Sequence, residues 1–209
     1  MTSRPKTKSF RDAKRAKVQL PQLVIIICEG ENTEIDYFNR WKEEIGKKAR
    51  VIVEQASGTA PQSIVRTAIA KKVEESADSP VIWCVGDKDD WGVQVLHDQM
   101  QKARSKGIGY VLSVPCLEIW FVLHYEIYAR PEHHHTIQSI AKSKMPAAIP
   151  NQGEKSLNRS QVDSLHTRHL TAIANAKNLD RRNVTARTPF PANPSTNMWE
   201  LIEYLISLC

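Results

Sequence analysis

Through its first half the chain alternates two hydrophobic rhythms. Short, β-branched apolar runs stop abruptly at glycine or charged residues. Between them, apolar positions recur every three or four residues over roughly a dozen positions, the length of a typical helix. The first rhythm is that of a buried strand and the second that of an amphipathic helix. Strands are therefore expected at Gln22–Cys28, Arg50–Glu54, Val81–Gly86 and Gly109–Val114. A helix capped by Thr33 and stopped by Gly46 would bury Ile35, Phe38, Trp41 and Ile45. A second, with Pro61 in its first turn, would bury Val65, Ala68, Ile69 and Val73. A third would bury Val93, Leu96, Met100 and Ala103 and end at Gly107 and Gly109. Strands that alternate with helices need crossover connections, so the expected class is α/β, a parallel sheet of about four strands flanked by helices.

Beyond Pro115 the pattern changes. Leu117–Leu123 is apolar on every side except at Glu118, the signature of a buried helix. Its carboxylate would then face a cleft or the interior and need a proton, a partner or a metal. Placed so near the helix start, it could equally be held by backbone amides and the helix dipole. Glu126–Asn158 reads as a long connection with Pro131, Pro146, Pro150 and the run His133, His134 and His135. Adjacent side chains point in different directions, and no second ligand pair at zinc-site spacing accompanies the run, so a loop is preferred to a metal site. Ser160 opens a longer helix with Val162, Leu165, His169, Ala172, Ile173 and Ala176 on one face, which makes His169 a core histidine. Leu179–Thr188 is a basic patch with Arg181, Arg182 and Arg187, either a phosphate contact or a solvated loop. Asn193–Asn197 is rich in capping residues and leads a final helix whose Met198, Leu201, Ile202, Leu205 and Ile206 should pack on the sheet. Residues from about 126 to 209 thus form a helical C-terminal extension.

Charge refines the picture. The chain has 209 residues and a formal net charge of +6. Seven of its 29 Lys and Arg but only one of its 23 Asp and Glu fall within residues 1–17, so the remainder balances at 22 of each. The basic character belongs to that tail, expected to be disordered and to reach for phosphates or an acidic surface, ahead of a single domain at 18–209. The four cysteines are scattered without a CxxC pair, and Cys28 and Cys84 lie within apolar strands, which favours a reducing, cytoplasmic setting. No apolar run approaches the ~18 residues that span a bilayer.

Two of the expected strands end in carboxylates. The first runs into Glu29-Gly30-Glu31, and the third into Asp87-Lys88-Asp89-Asp90. Ligands collect at the carboxyl ends of parallel strands. Strands 1 and 3 would be neighbours in the commonest small sheet, and alternation would aim Asp87 and Asp89 the same way. Clustered carboxylates repel one another until a proton or a hard cation such as Mg²⁺ or Mn²⁺ arrives, and such a cation suits phosphoryl chemistry. The bland alternative is a turn, with Asp90 capping the third helix. No GxxxxGK[ST] and no GxGxxG follows a strand, so a phosphate-cradling loop is not supported.

CEGENTEIDYF, the strand ending in GDKDD, PCLEIWFVLHY, AIANAKNL and NPSTNMWELIEYL occur in this order between Leu23 and Leu208. Together they resemble the RloB-like family of bacterial anti-phage, or abortive-infection, proteins, which is placed among the topoisomerase-primase (Toprim) domains. The resemblance implies a Toprim-like parallel sheet with a glutamate after the first strand and a DxD after a later one, binding Mg²⁺ (or Mn²⁺) to cut nucleic acid. By position, Glu29 matches the glutamate and Asp87 and Asp89 the DxD, as catalytic and metal-binding residues. Glu34 matches a further glutamate of related nucleases, at a slightly different spacing, and Glu118 a family feature outside the Toprim pattern; both would complete the metal shell. Gly86 stands where the family tends to carry a bulkier residue. The expected activity is a metal-dependent nuclease acting on DNA or RNA, tRNA included, with Lys88, Lys155, Arg181 and Arg182 as weaker nucleic-acid contacts. The family also implies an ABC-like ATPase partner, and hence an alternative role as a non-catalytic regulatory or sensor subunit docking on it.

Overall fold

The computed structural model describes residues 21–147 and 156–209. The basic tail and Lys155 lie outside them. Strands β1 (Gln22–Cys28), β2 (Ala49–Gln55), β3 (Val81–Asp87) and β4 (Gly109–Val114) are joined by helices α1 (Thr33–Ile45), α2 (Pro61–Glu74) and α3 (Val93–Ser105). All four strands are parallel, in the order β2-β1-β3-β4. A two-residue strand, β5 (Ser195–Thr196), completes a five-stranded sheet antiparallel to β4. The expectation of about four parallel strands holds, with this short fifth one added.

The central strand shows why the sheet is covered on both sides. Alternation sends Val24, Ile26 and Cys28 into one apolar layer and Leu23, Ile25 and Ile27 into the other, each of them fully or almost fully buried. The second layer is closed by Ile64, Val65 and Ala68 of α2 and by Leu96 and Ala103 of α3. The first is closed by Tyr37, Phe38, Trp41 and Ile45 of α1 and by the C-terminal helices. α1 stops at Gly46, which takes φ +58° while its N–H donates to Lys42 O. Val73 and Val93, expected in the helix stripes, are 71% and 46% exposed. Each sits at a helix end, in the last turn of α2 and the first of α3.

The C-terminal half contains α4 (Glu118–Leu123), α5 (His134–Lys144), α6 (Arg159–Thr167), α7 (His169–Thr185) and α8 (Met198–Ile206). α4 is buried from Ile119 to Leu123, as its all-apolar sequence requires. Four expectations are corrected. The supposed long connection holds α5, anchored by buried Ile137 and Ala141. The long helix from Ser160 is two helices that break at Arg168, and the first is capped by Asn158, whose side chain accepts from Gln161 N–H while the Gln161 side chain accepts from Asn158 N–H. His169 is partly buried rather than core, bonded to His166 O and set edge-on against Trp41. Arg181 and Arg182 of the basic patch lie in the last turns of α7, and Arg187 follows the helix at φ +54°. α8 packs against β4 with Met198, Leu201, Ile202 and Leu205 fully buried. Among the described residues, no helix is long and apolar enough to cross a membrane.

Candidate metal centre

The chain leaves β1 for α1 on one face of the sheet and β3 for α3 on the other, so a crevice opens above the carboxyl ends of these adjacent strands. Glu29 sits there. Its N–H donates to Val85 O at 3.0 Å, which extends the ladder one residue past β1. Its Oε2 accepts from Asp87 N–H at 2.9 Å, bridging the two strand ends. The carboxylate lies over Gly86, where a Cβ would come within 3.1 Å of Glu29 Oε2 and Tyr110 Oη and 3.0 Å of Ile64 Cδ1. Glycine at this position therefore leaves room for the Glu29 carboxylate.

Glu34 reaches the same crevice from the first turn of α1. Its Oε1 accepts from Gly30 N–H at 3.1 Å, and a Cβ at Gly30 would fall 2.2 Å from Oε2. Only glycine leaves room for this back-folded side chain. Thr33 is the first helical residue, and the cap position belongs to Asn32 with no side-chain bond.

Asp87 ends β3, but Asp89 arrives by a different route from strand alternation. Lys88 N–H donates to Ser113 O at 2.8 Å, Asp89 N–H to Pro115 O at 3.1 Å and Trp91 N–H to Lys88 O at 3.0 Å, a tight turn stapled to the neighbouring strand. Asp89 takes φ +36°, a conformation that aspartate tolerates better than most residues. Asp90 caps nothing: α3 starts at Val93 with Gly92 in the cap position, and Asp90 lines the crevice instead. Glu118, the first residue of α4, is half-buried and faces the same space.

The result is a pocket of about 670 Å³ lined by Glu29, Glu34, Asp87, Asp89, Asp90 and Glu118, with no lysine or arginine on its wall among the described residues. Burial, then the Asp89 and Glu34 charges, push the Glu29 carboxyl up to about 7, against the lowering effect of the Asp87 N–H. Asp87 is held well above the usual carboxylate range by burial and by Glu34, Glu118 and Glu29. An empty pocket of this kind favours protons, and a hard divalent cation would relieve the same repulsion. The donor set fits Mg²⁺ or Mn²⁺, which take one or two carboxylates directly, keep several waters and share the rest with phosphate.

Thr33, Thr59, Trp91, His134, His135 and Gln138 complete the wall. None of them was foreseen as a pocket residue, and the histidine run was the one available signal. Lys88 lines a neighbouring groove of about 550 Å³ that shares Asp89, Asp90 and His134 with the pocket. Arg181 and Arg182, in the last turns of α7, line neither.

A family model described as RloB-like protein matches residues 24–205, from β1 into α8. No curated protein and no solved structure matches the chain. With the parallel sheet from Val24 onward and every carboxylate of the acidic wall inside the matched span, the chain belongs to the RloB-like family.

Proposed function

We propose that this protein is a Mg²⁺- or Mn²⁺-dependent nuclease of Toprim type that hydrolyses phosphodiester bonds of DNA or RNA in anti-phage defence. The observation that carries the reading is the convergence of six carboxylates on the crevice between β1 and β3. A polyanionic substrate would be repelled from such a wall unless a cation came with it. Asp87 and Asp89, supported by Glu34 and Glu118, would hold the cation. Once bound, that ion would supply Lewis-acid stabilisation of the phosphate and an activated water. Glu29, poised at about 7, would hold or release a proton near neutral pH, which is where a general acid–base group works best. Its hydrogen bond from Asp87 N–H orients it across the strand ends.

The test is divalent-dependent cleavage of tRNA, single-stranded DNA and duplex DNA by the full chain and by Asp87→Asn and Glu29→Gln. Losing an acid–base group is expected to cost roughly 10²–10⁴-fold in rate. Equal cleavage by wild type and variants would remove these residues from the mechanism. A regulatory subunit docking on an ABC-like ATPase predicts instead that protection of infected cells survives Glu29→Ala. A chain without a phosphate-cradling loop of its own suits either role beside such a partner.

A further inference from the structure

We propose a second metal site at His133, His134 and His135, selective for a borderline divalent cation such as Zn²⁺ and beside the carboxylate cluster, with which His134 and His135 share a pocket wall. Among the described residues, the group whose potential ligand atoms all lie within 4.8 Å of one another is this histidine run. The side chains converge instead of diverging. Their ring centroids are 4.0 Å apart for His133–His134, 4.1 Å for His134–His135 and 5.2 Å for His133–His135. The cause is backbone geometry: His133 has extended φ and ψ in the cap position, whereas His134 and His135 are already helical.

The cluster rests on a fixed support. Ile137 and Ala141 bury the inner face of α5, and His134 O accepts from Cys116 Sγ at 3.8 Å, beside Glu118. His135 Nδ1 meets Gln138 Oε1 at 3.4 Å, an outer partner that would fix the ring with Nε2 directed to a metal. His133 Nδ1 accepts from His135 N–H at 3.4 Å, a long bond that coordination through Nδ1 would replace. Imidazole ligands favour Zn²⁺ and its neighbours over Mg²⁺, and three of them leave a fourth position open. His134 lines both the acidic pocket and the adjoining groove, so the open position lies where the two meet. The site itself does not depend on the nuclease reading.

The experiment is Zn²⁺ titration of the untagged full chain at pH 7.5 by calorimetry, with Co²⁺ absorption as a spectroscopic probe. One Zn²⁺ per chain is expected, with an intense visible Co²⁺ band. Both should survive Glu29→Gln with Asp87→Asn. Affinity should fall in His134→Ala with His135→Ala by more than the roughly 10–100-fold that losing an outer partner costs. His133→Asn, which keeps a capping side chain, should weaken binding without lowering the metal-free Tm. Unchanged Zn²⁺ affinity in the histidine variants would overturn the site. Loss of Zn²⁺ in the carboxylate variant would do the same, by assigning the ion to the acidic pocket.

Discussion

A carboxylate caught between two strand ends is costly to ionise, and this sets a pH dependence. Glu29 has its folded value near 7 against an ordinary 4.5, so between those values the folded state holds a proton that the unfolded chain has lost. Without divalent cations, stability should fall as pH rises from about 4.5 through 7, by at most about 3 kcal/mol from this group. Asp87 acts in the same direction. Melting curves between pH 5 and 8 should show the fall in wild type and a shallower one in Glu29→Gln. Gly30 offers a sharper probe. Alanine there would overlap the Glu34 carboxylate, the far end of a flexible side chain, so Gly30→Ala should displace that carboxylate, weaken the proposed Mg²⁺ binding and cost about 1 kcal/mol of stability or less. In a Glu34→Ala background that stability cost should vanish, a coupling that a double-mutant cycle with chemical denaturation reads directly.

At the scale of elements, α4 is tied to α1 through a buried polar contact, Trp120 Nε1–H donating to Tyr37 Oη at 2.9 Å. Tyr37→Phe leaves that N–H without its acceptor in the core and should cost about 1–3 kcal/mol, measured by urea unfolding. The strands were legible because each is a compact apolar run closed by glycine, an acid or, after β4, Pro115. β4 spans the expected residues, and β1 ends where Glu29 begins. The nearness of Glu29 and Asp87 followed from neighbouring strands. Other features were hidden for physical reasons. The apolar positions of α5 are few and lie between histidines and prolines. β5 is two residues long and is defined by its pairing, not by its own sequence. Asp89 enters through a turn with positive φ, which no alternation rule foresees. The cap at Asn158 could have been found, since Asn158-Arg-Ser-Gln161 is a capping-box pattern.

For the molecule as a whole, the order β2-β1-β3-β4 places the reversal of connection at the acidic crevice, with the net positive charge carried by residues 1–17. Deleting them should leave the Tm and the divalent affinity of the domain unchanged. It should also flatten the salt dependence of polyanion binding, each lost phosphate contact taking about 0.7–0.9 from the slope of log K against log salt. An unchanged slope would show that the tail does not engage phosphate. At the far side of the sheet, Ser113 is gripped from both directions: its carbonyl takes the Lys88 N–H of the acidic turn, and its hydroxyl pairs with Thr196 of β5. Asn197 reinforces the grip, its Oδ1 accepting from Leu112 N–H and its Nδ2 donating to Tyr110 O. A growing chain that has left the ribosome only as far as α7 therefore carries every carboxylate yet lacks the clasp that steadies their platform. The acidic crevice is therefore finished late, its supporting strand being clasped only when synthesis has passed Asn197.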